Sequence, residues 1–281
     1  MVLESVTNPL AAESKPWVMV IVGFCYNSVA LGLSWWIFAS YASLIMVFLT
    51  TLATIPLIYG TIKLEEKKDE NLESELSLLK EHSKAIWVLS FLFLGALISV
   101  VFWYLVLPGT ATSALFGAQQ ETINNINSNV TGNAVLPGAL LRIFINNLGV
   151  MFFCILFAII YGFGAIFVLI WNASVIGVYI GNLINNQLAT HLGTTGAAKV
   201  WGGVSSVFSG FHKVFWHGSA EVIAYIIAGL AGGILSISIV RHSFETDKFR
   251  RIIIDTSNLI FIALALLVIA AIIEVFISPL L

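Results

Sequence analysis

The sequence predicts an all-α, polytopic transmembrane helical bundle of about seven spans, two of them short and interrupted by glycine. Three observations carry that expectation. Of 281 residues, 59% are hydrophobic and 10% charged, against about 25% charged in an ordinary soluble domain. The charges gather in a few short segments, so the runs between them reach the roughly 20 apolar residues that cross a bilayer as helix. Strand-like alternation is absent, which argues against a barrel.

Pro16 to Ile62 carries no charged residue and is about twice as long as one span requires, which predicts a helical hairpin. Trp35, Trp36 and Tyr41 prefer the membrane–water interface and set its turn at Trp36–Ser40. Pro56 is expected to kink the second helix. Lys63–Lys84 is the strongly charged segment and reads as a solvated loop with an amphipathic helix. Its lysines, with Arg241, Lys248, Arg250 and Arg251, place it and the later charged loop in the cytoplasm, and the N-terminus with them.

The third span covers about Ala85–Leu107 and stops at Pro108-Gly109. A polar loop rich in Asn, Thr and Gly follows on the outer side, carrying the sequon Asn129-Val130-Thr131. Asn146 to Gly181 is uncharged and as one helix would measure about 54 Å, too long for a core of about 30 Å. Gly162 and Gly164 are where it should break, into helices over about Asn146–Tyr161 and Ala165–Gly181. Asn182–Phe215 reads as a surface loop plus an interfacial helix. Trp216–Val240 and Ile252–Ile277 supply the last two spans, joined through Arg241–Arg251.

The net charge of −2 and the absence of a basic arm exclude a nucleic-acid partner. Cys25 and Cys154 lie in apolar runs, which argues against a disulfide framework or a thiolate zinc cluster. His82, His191 and His242 fall in loops and read as solvated, and Asp255 as interfacial. Gly229/Gly233 and Gly177/Gly181 form two G-x-x-x-G pairs, which bring helices close within one chain or across a homodimer.

The stretch with the most chemistry is Trp216–Gly233. His217 and Glu221 lie one helical turn apart and point the same way inside an apolar run. Ionisable groups at membrane depth are costly, and one that persists there reads first as a functional site. Antiparallel bookkeeping brings Glu274, at the end of the last span, level with them, and places Asn146, Asn147 and Asn172 in the same leaflet. Three chemistries fit this set. The groups can act as hydrogen-bonding glue between helices. One imidazole and two carboxylates, His217, Glu221 and Glu274, can also hold zinc or another divalent cation, or relay protons. A metal-activated water with a glutamate base would give an intramembrane hydrolase. That pattern lacks the second histidine at helical spacing, and His212 reaches the site only if the chain bends.

The chain resembles the stage II sporulation protein M family over about residues 142–281. The resemblance rests on Asn146-Asn147 opening a helix, Asn172 followed by Gly177 and Gly181, His217-Gly218 with Glu221 four residues on, and Ala270–Glu274 leading to Ser278-Pro279. Ala173 stands where the family usually has glycine. The resemblance implies a membrane protein and, in sporulating members, an anchor or scaffold for peptidoglycan-degrading partners. The chain therefore divides into a three-span region over 1–140, with a cytoplasmic loop at 63–84 and an outer loop at 108–140, and a family-like membrane domain over 141–281. The expected role is a non-enzymatic scaffold or complex component of the plasma membrane, with membrane-protein partners. A cation- or proton-coupled transporter or channel is the alternative.

Overall fold

The computed structural model describes residues 8–71, 75–130, 136–190, 197–241 and 247–277, and the regular elements among them are all helical. Seven helices are long and apolar enough to cross a membrane. A short helix α1 (Pro9–Ser14) leads to α2 (Val18–Ile37), a 3₁₀ turn (Ala39–Tyr41), α3 (Ala42–Asn71) and α4 (Glu75–Val106). Then come α5 (Gly109–Val130), α6 (Leu136–Tyr161), α7 (Ala165–Thr190), α8 (Ala197–Arg241), α9 (Asp247–Ile272) and a π turn (Ile273–Ile277). The first hairpin turns where the interfacial aromatics place it, and Pro56 lies inside α3 without ending it.

The α6–α7 break has a conformational cause. Gly162 takes a φ of 71°, a left-handed geometry that glycine adopts without the Cβ clash other residues suffer. Its amide still bonds the Ala158 carbonyl at 2.7 Å, closing the last turn of α6. Both helices extend well past the expected limits, to 26 residues each.

Helix α8 is the axis of the bundle, its spanning part 78% buried, and it packs against α3, α4, α6, α7 and α9. Helices α2 and α4 close on each other at two glycines, since a Cβ at Gly23 would fall on the Leu92 carbonyl and one at Gly95 on the Val20 carbonyl. Beside them runs a polar ladder: Asn27 Nδ2 donates to Ser99 Oγ at 3.0 Å, Thr50 Oγ1 to Asn27 Oδ1 at 3.2 Å, and Trp103 Nε1 to Ser28 Oγ at 2.9 Å. In an apolar solvent such bonds and close backbone approaches hold helices together where hydrophobic burial cannot. The two G-x-x-x-G pairs serve contacts within the chain. A Cβ at Gly229 would meet Ala165, one at Gly233 the Gly162 carbonyl and Ile62, one at Gly177 Val100, and one at Gly181 the Tyr104 ring.

Three segments differ from expectation. Residues 63–84 are not a separate loop: α3 runs through to Asn71 and α4 begins at Glu75, so the two spans continue as a helical hairpin. His82, expected in solvent, is 1% exposed within it. The outer loop at 108–140 is helical over Gly109–Val130. Its Ala111, Leu115, Phe116, Gln119 and Ile123 recur at helical spacing and are buried. The region 182–215 likewise completes α7 and opens the 45-residue α8. His191, His242, Thr131 of the sequon and Ser278-Pro279 lie outside the described residues.

The molecule has two distinguishable ends. Glu65, Glu66, His82, Arg241 and the Gly162 turn share the charged end, and α5, the start of α6 and the π turn share the far end.

Candidate functional site

At the far end three elements converge on one polar group. Helix α6 supplies Asn147, which is 7% exposed. Helix α8 supplies Glu221, one turn into its spanning part, and the π turn supplies Glu274. Asn147 Nδ2 donates to Glu221 Oε1 in a short hydrogen bond. The carboxyl groups of Glu221 and Glu274 lie beside each other. Tyr225, four residues on from Glu221 and 3% exposed, lies on the same helix face. A π turn is rare, and such widened turns recur at functional sites; here it carries Glu274.

The other expected members are placed differently. Asn146 is exposed. Asn172 is half-buried and spends its amide on its own helix, Nδ2 donating to the Val168 carbonyl at 2.7 Å. The backbone of His217 is helical, and its side chain lies outside the described residues. His212 is exposed on α8. Among the described residues no group of three His, Cys, Asp or Glu side chains is arranged to hold a metal.

A second polar group sits at the charged end. Glu65 is fully buried and bonds two partners, His82 Nδ1 at 2.6 Å and Lys68 Nζ at 2.6 Å. Lys68 continues to Glu13 on α1 at 2.9 Å. Burial raises the Glu13 carboxyl above its ordinary range, against the lowering effect of Lys68 beside it. Glu66, also fully buried, receives Arg241 Nη1 at 2.9 Å, which ties α3 to the end of α8. None of these residues stands out as a site in the sequence. The available signal is the i, i+3 pairing of Glu65 with Lys68 inside a segment that otherwise resembles a solvated charge run.

The sequence matches the model of the stage II sporulation protein M family over residues 88–279. The chain belongs to this family. No curated protein and no solved structure matches it. The family match takes in all of the far-end group, Asn147, Glu221 and Glu274, together with α5. It begins in the third span, upstream of residue 142, where the motifs legible in the sequence start. The charged-end group is built mostly from residues that precede the match: Glu13, Glu65, Glu66, Lys68 and His82.

Proposed function

We propose that the chain is a non-enzymatic membrane scaffold or complex component of the cell membrane, with the α3–α4 hairpin as its partner-facing arm. The observation that carries this reading is the stapled root of that hairpin. Helices of 30 and 32 residues measure about 45 and 48 Å, so each overshoots a core of about 30 Å by roughly 15 Å. The overshoot emerges where Glu65, His82, Lys68 and Glu13 bond one another and Arg241 clamps Glu66. Buried ion pairs contribute little net stability but fix relative geometry, which is what an arm that presents a surface requires. The excess of basic residues near this end makes it the cytoplasmic one.

The test replaces residues 69–80 with a short glycine–serine turn and compares native complexes extracted from the source membrane. The shortened chain should migrate alone while keeping its melting temperature, and Glu221→Gln should migrate with the full complex. An unchanged complex from the shortened chain would sink the scaffold reading.

A second reading, a proton- or cation-coupled transporter or channel, draws on the neighbouring carboxyl groups of Glu221 and Glu274 at membrane depth. It requires ion flux into vesicles reconstituted with the purified chain, abolished by Glu221→Gln. A metal-dependent hydrolase would need His217 as a third ligand, and stoichiometric zinc that is lost in His217→Ala is its minimal requirement.

A further inference from the structure

A groove at the far end, separate from both polar groups above, has the chemistry of a binding site. It encloses about 630 Å³ between the end of α4, the outer face of α5 and α7, within the range of about 300–1,000 Å³ typical of small-molecule sites. Its polar wall is a relay of hydrogen bonds. Tyr104 Oη donates to Asn182 Oδ1 at 2.6 Å, Asn182 Nδ2 donates to Gln120 Oε1 at 2.7 Å, and Gln120 Nε2 donates to Asn124 Oδ1 at 3.2 Å. Tyr104, Gln120 and Asn124 line the groove, and Asn182, behind them on α7, holds the phenol and the Gln120 amide in fixed orientations. Gly181 admits the Tyr104 ring against the α7 backbone, where a Cβ would collide with it. That brings the phenol to Asn182, the next residue. Thr112, Ser113 and Asn185 extend the same chemistry along the lining.

The charge pattern selects the ligand class. Glu121 is the acid of the lining, and among the described residues the lining includes no Lys, Arg or His. An anion such as a phosphate would meet a carboxylate and no cation, so anionic headgroups are disfavoured. A divalent cation would find one carboxylate, too few for a hard-ion site. A wholly apolar ligand would strand the amides without partners, at the cost that unsatisfied polar groups carry. What matches interleaved amide and hydroxyl donors and acceptors beside an aromatic ring is a neutral, polyhydroxylated group. We propose that this groove binds a neutral carbohydrate, either as the headgroup of a glycolipid or as a free oligosaccharide. The lining continues into Leu105 and Leu107 at the membrane-proximal end of α4, so apolar surface adjoins the polar wall.

Gly117 provides a clean test. It lies in the lining, and a Cβ there would meet nothing within 4 Å, so Gly117→Phe can start a side chain at the groove without a clash at its base. Asn182→Ala leaves the groove open but removes the centre of the relay. The protein is purified in a detergent without a sugar headgroup. It is then probed with an array of neutral glycans and with phosphatidylcholine vesicles containing or lacking diglucosyl diacylglycerol. Binding on either platform is the expected result, weakened about tenfold or more by Asn182→Ala and lost in Gly117→Phe, with the melting temperature of Gly117→Phe retained. Array binding identifies a free glycan, and vesicle binding alone identifies a lipid headgroup. The proposal is overturned if no neutral glycan or glycolipid binds, if phosphatidylglycerol vesicles bind equally well, or if Gly117→Phe binds as the wild type does.

Discussion

Glu221 carries partners from two other elements, the Asn147 amide and the Glu274 carboxyl, and single substitutions separate what each does. Asn147→Leu keeps the volume but removes the donor, leaving a carboxyl oxygen in an apolar setting without its bond. The expected loss is about 1–2 kcal/mol, read as a lower melting temperature in lipid nanodiscs. In a Glu221→Leu background the same change should cost much less, because the group that needed the donor is gone. Equal costs in both backgrounds would mean that the amide acts through packing alone. The meeting of these three side chains was accessible from the sequence because span polarity and register alone bring α6, α8 and the π turn together. Asn172 was not so accessible, since a helical asparagine can satisfy its amide on its own backbone, as Nδ2 does on the Val168 carbonyl, and spacing does not reveal that choice. The burial of His82 was equally hidden, since its partner Glu65 lies across a helical hairpin in a segment whose composition matches a solvated loop.

Helices α3 and α4 overshoot the bilayer together, and their buried ions act as joints between elements. Glu65 bonds His82 and Lys68 at once, so Glu65→Ala removes two bonds from a buried site. Removing one partner of a buried pair costs about 3–5 kcal/mol, and the low end applies because Lys68 keeps Glu13. Glu81→Ala breaks the pair with Lys84, which is half open to solvent, and a looser 3.7 Å contact with Lys68, and should lower the melting temperature far less than Glu65→Ala. Matching losses for the two variants would show that burial is not what makes the root stiff. At this scale α5 also explains why helical periodicity outranks composition. Its polar face reads as loop, yet its buried face repeats every three to four residues, and Gln119 reaches Ser174 on α7 at 3.1 Å. Counting spacing rather than polarity along 109–130 recovers the helix.

The whole molecule is polarised between a charged end and an amide-rich end. Spans, break and hairpin were legible because a bilayer permits so few backbone solutions. The elements outside it were not, since hydropathy carries no information once a helix leaves the membrane. On the proposed orientation, read from the Lys and Arg around residues 63–84 and 241–251, the charged end faces the cytoplasm and the groove the outer side. Labelling with a membrane-impermeant maleimide tests this in intact cells. Cys25 is exposed and Cys154 buried, so Cys25→Ala supplies a quiet background. Lys15 and Asn124 are both exposed, one beside the charged end and one at the groove. Lys15→Cys should react only after the membrane is permeabilised, and Asn124→Cys should react before. The reverse pattern would invert the molecule, placing the hairpin arm outside and the groove in the cytoplasm. The scaffold reading would then need an extracellular partner, and the groove a cytoplasmic source of neutral sugar. Because the two ends exchange sides together, one pair of labels decides both.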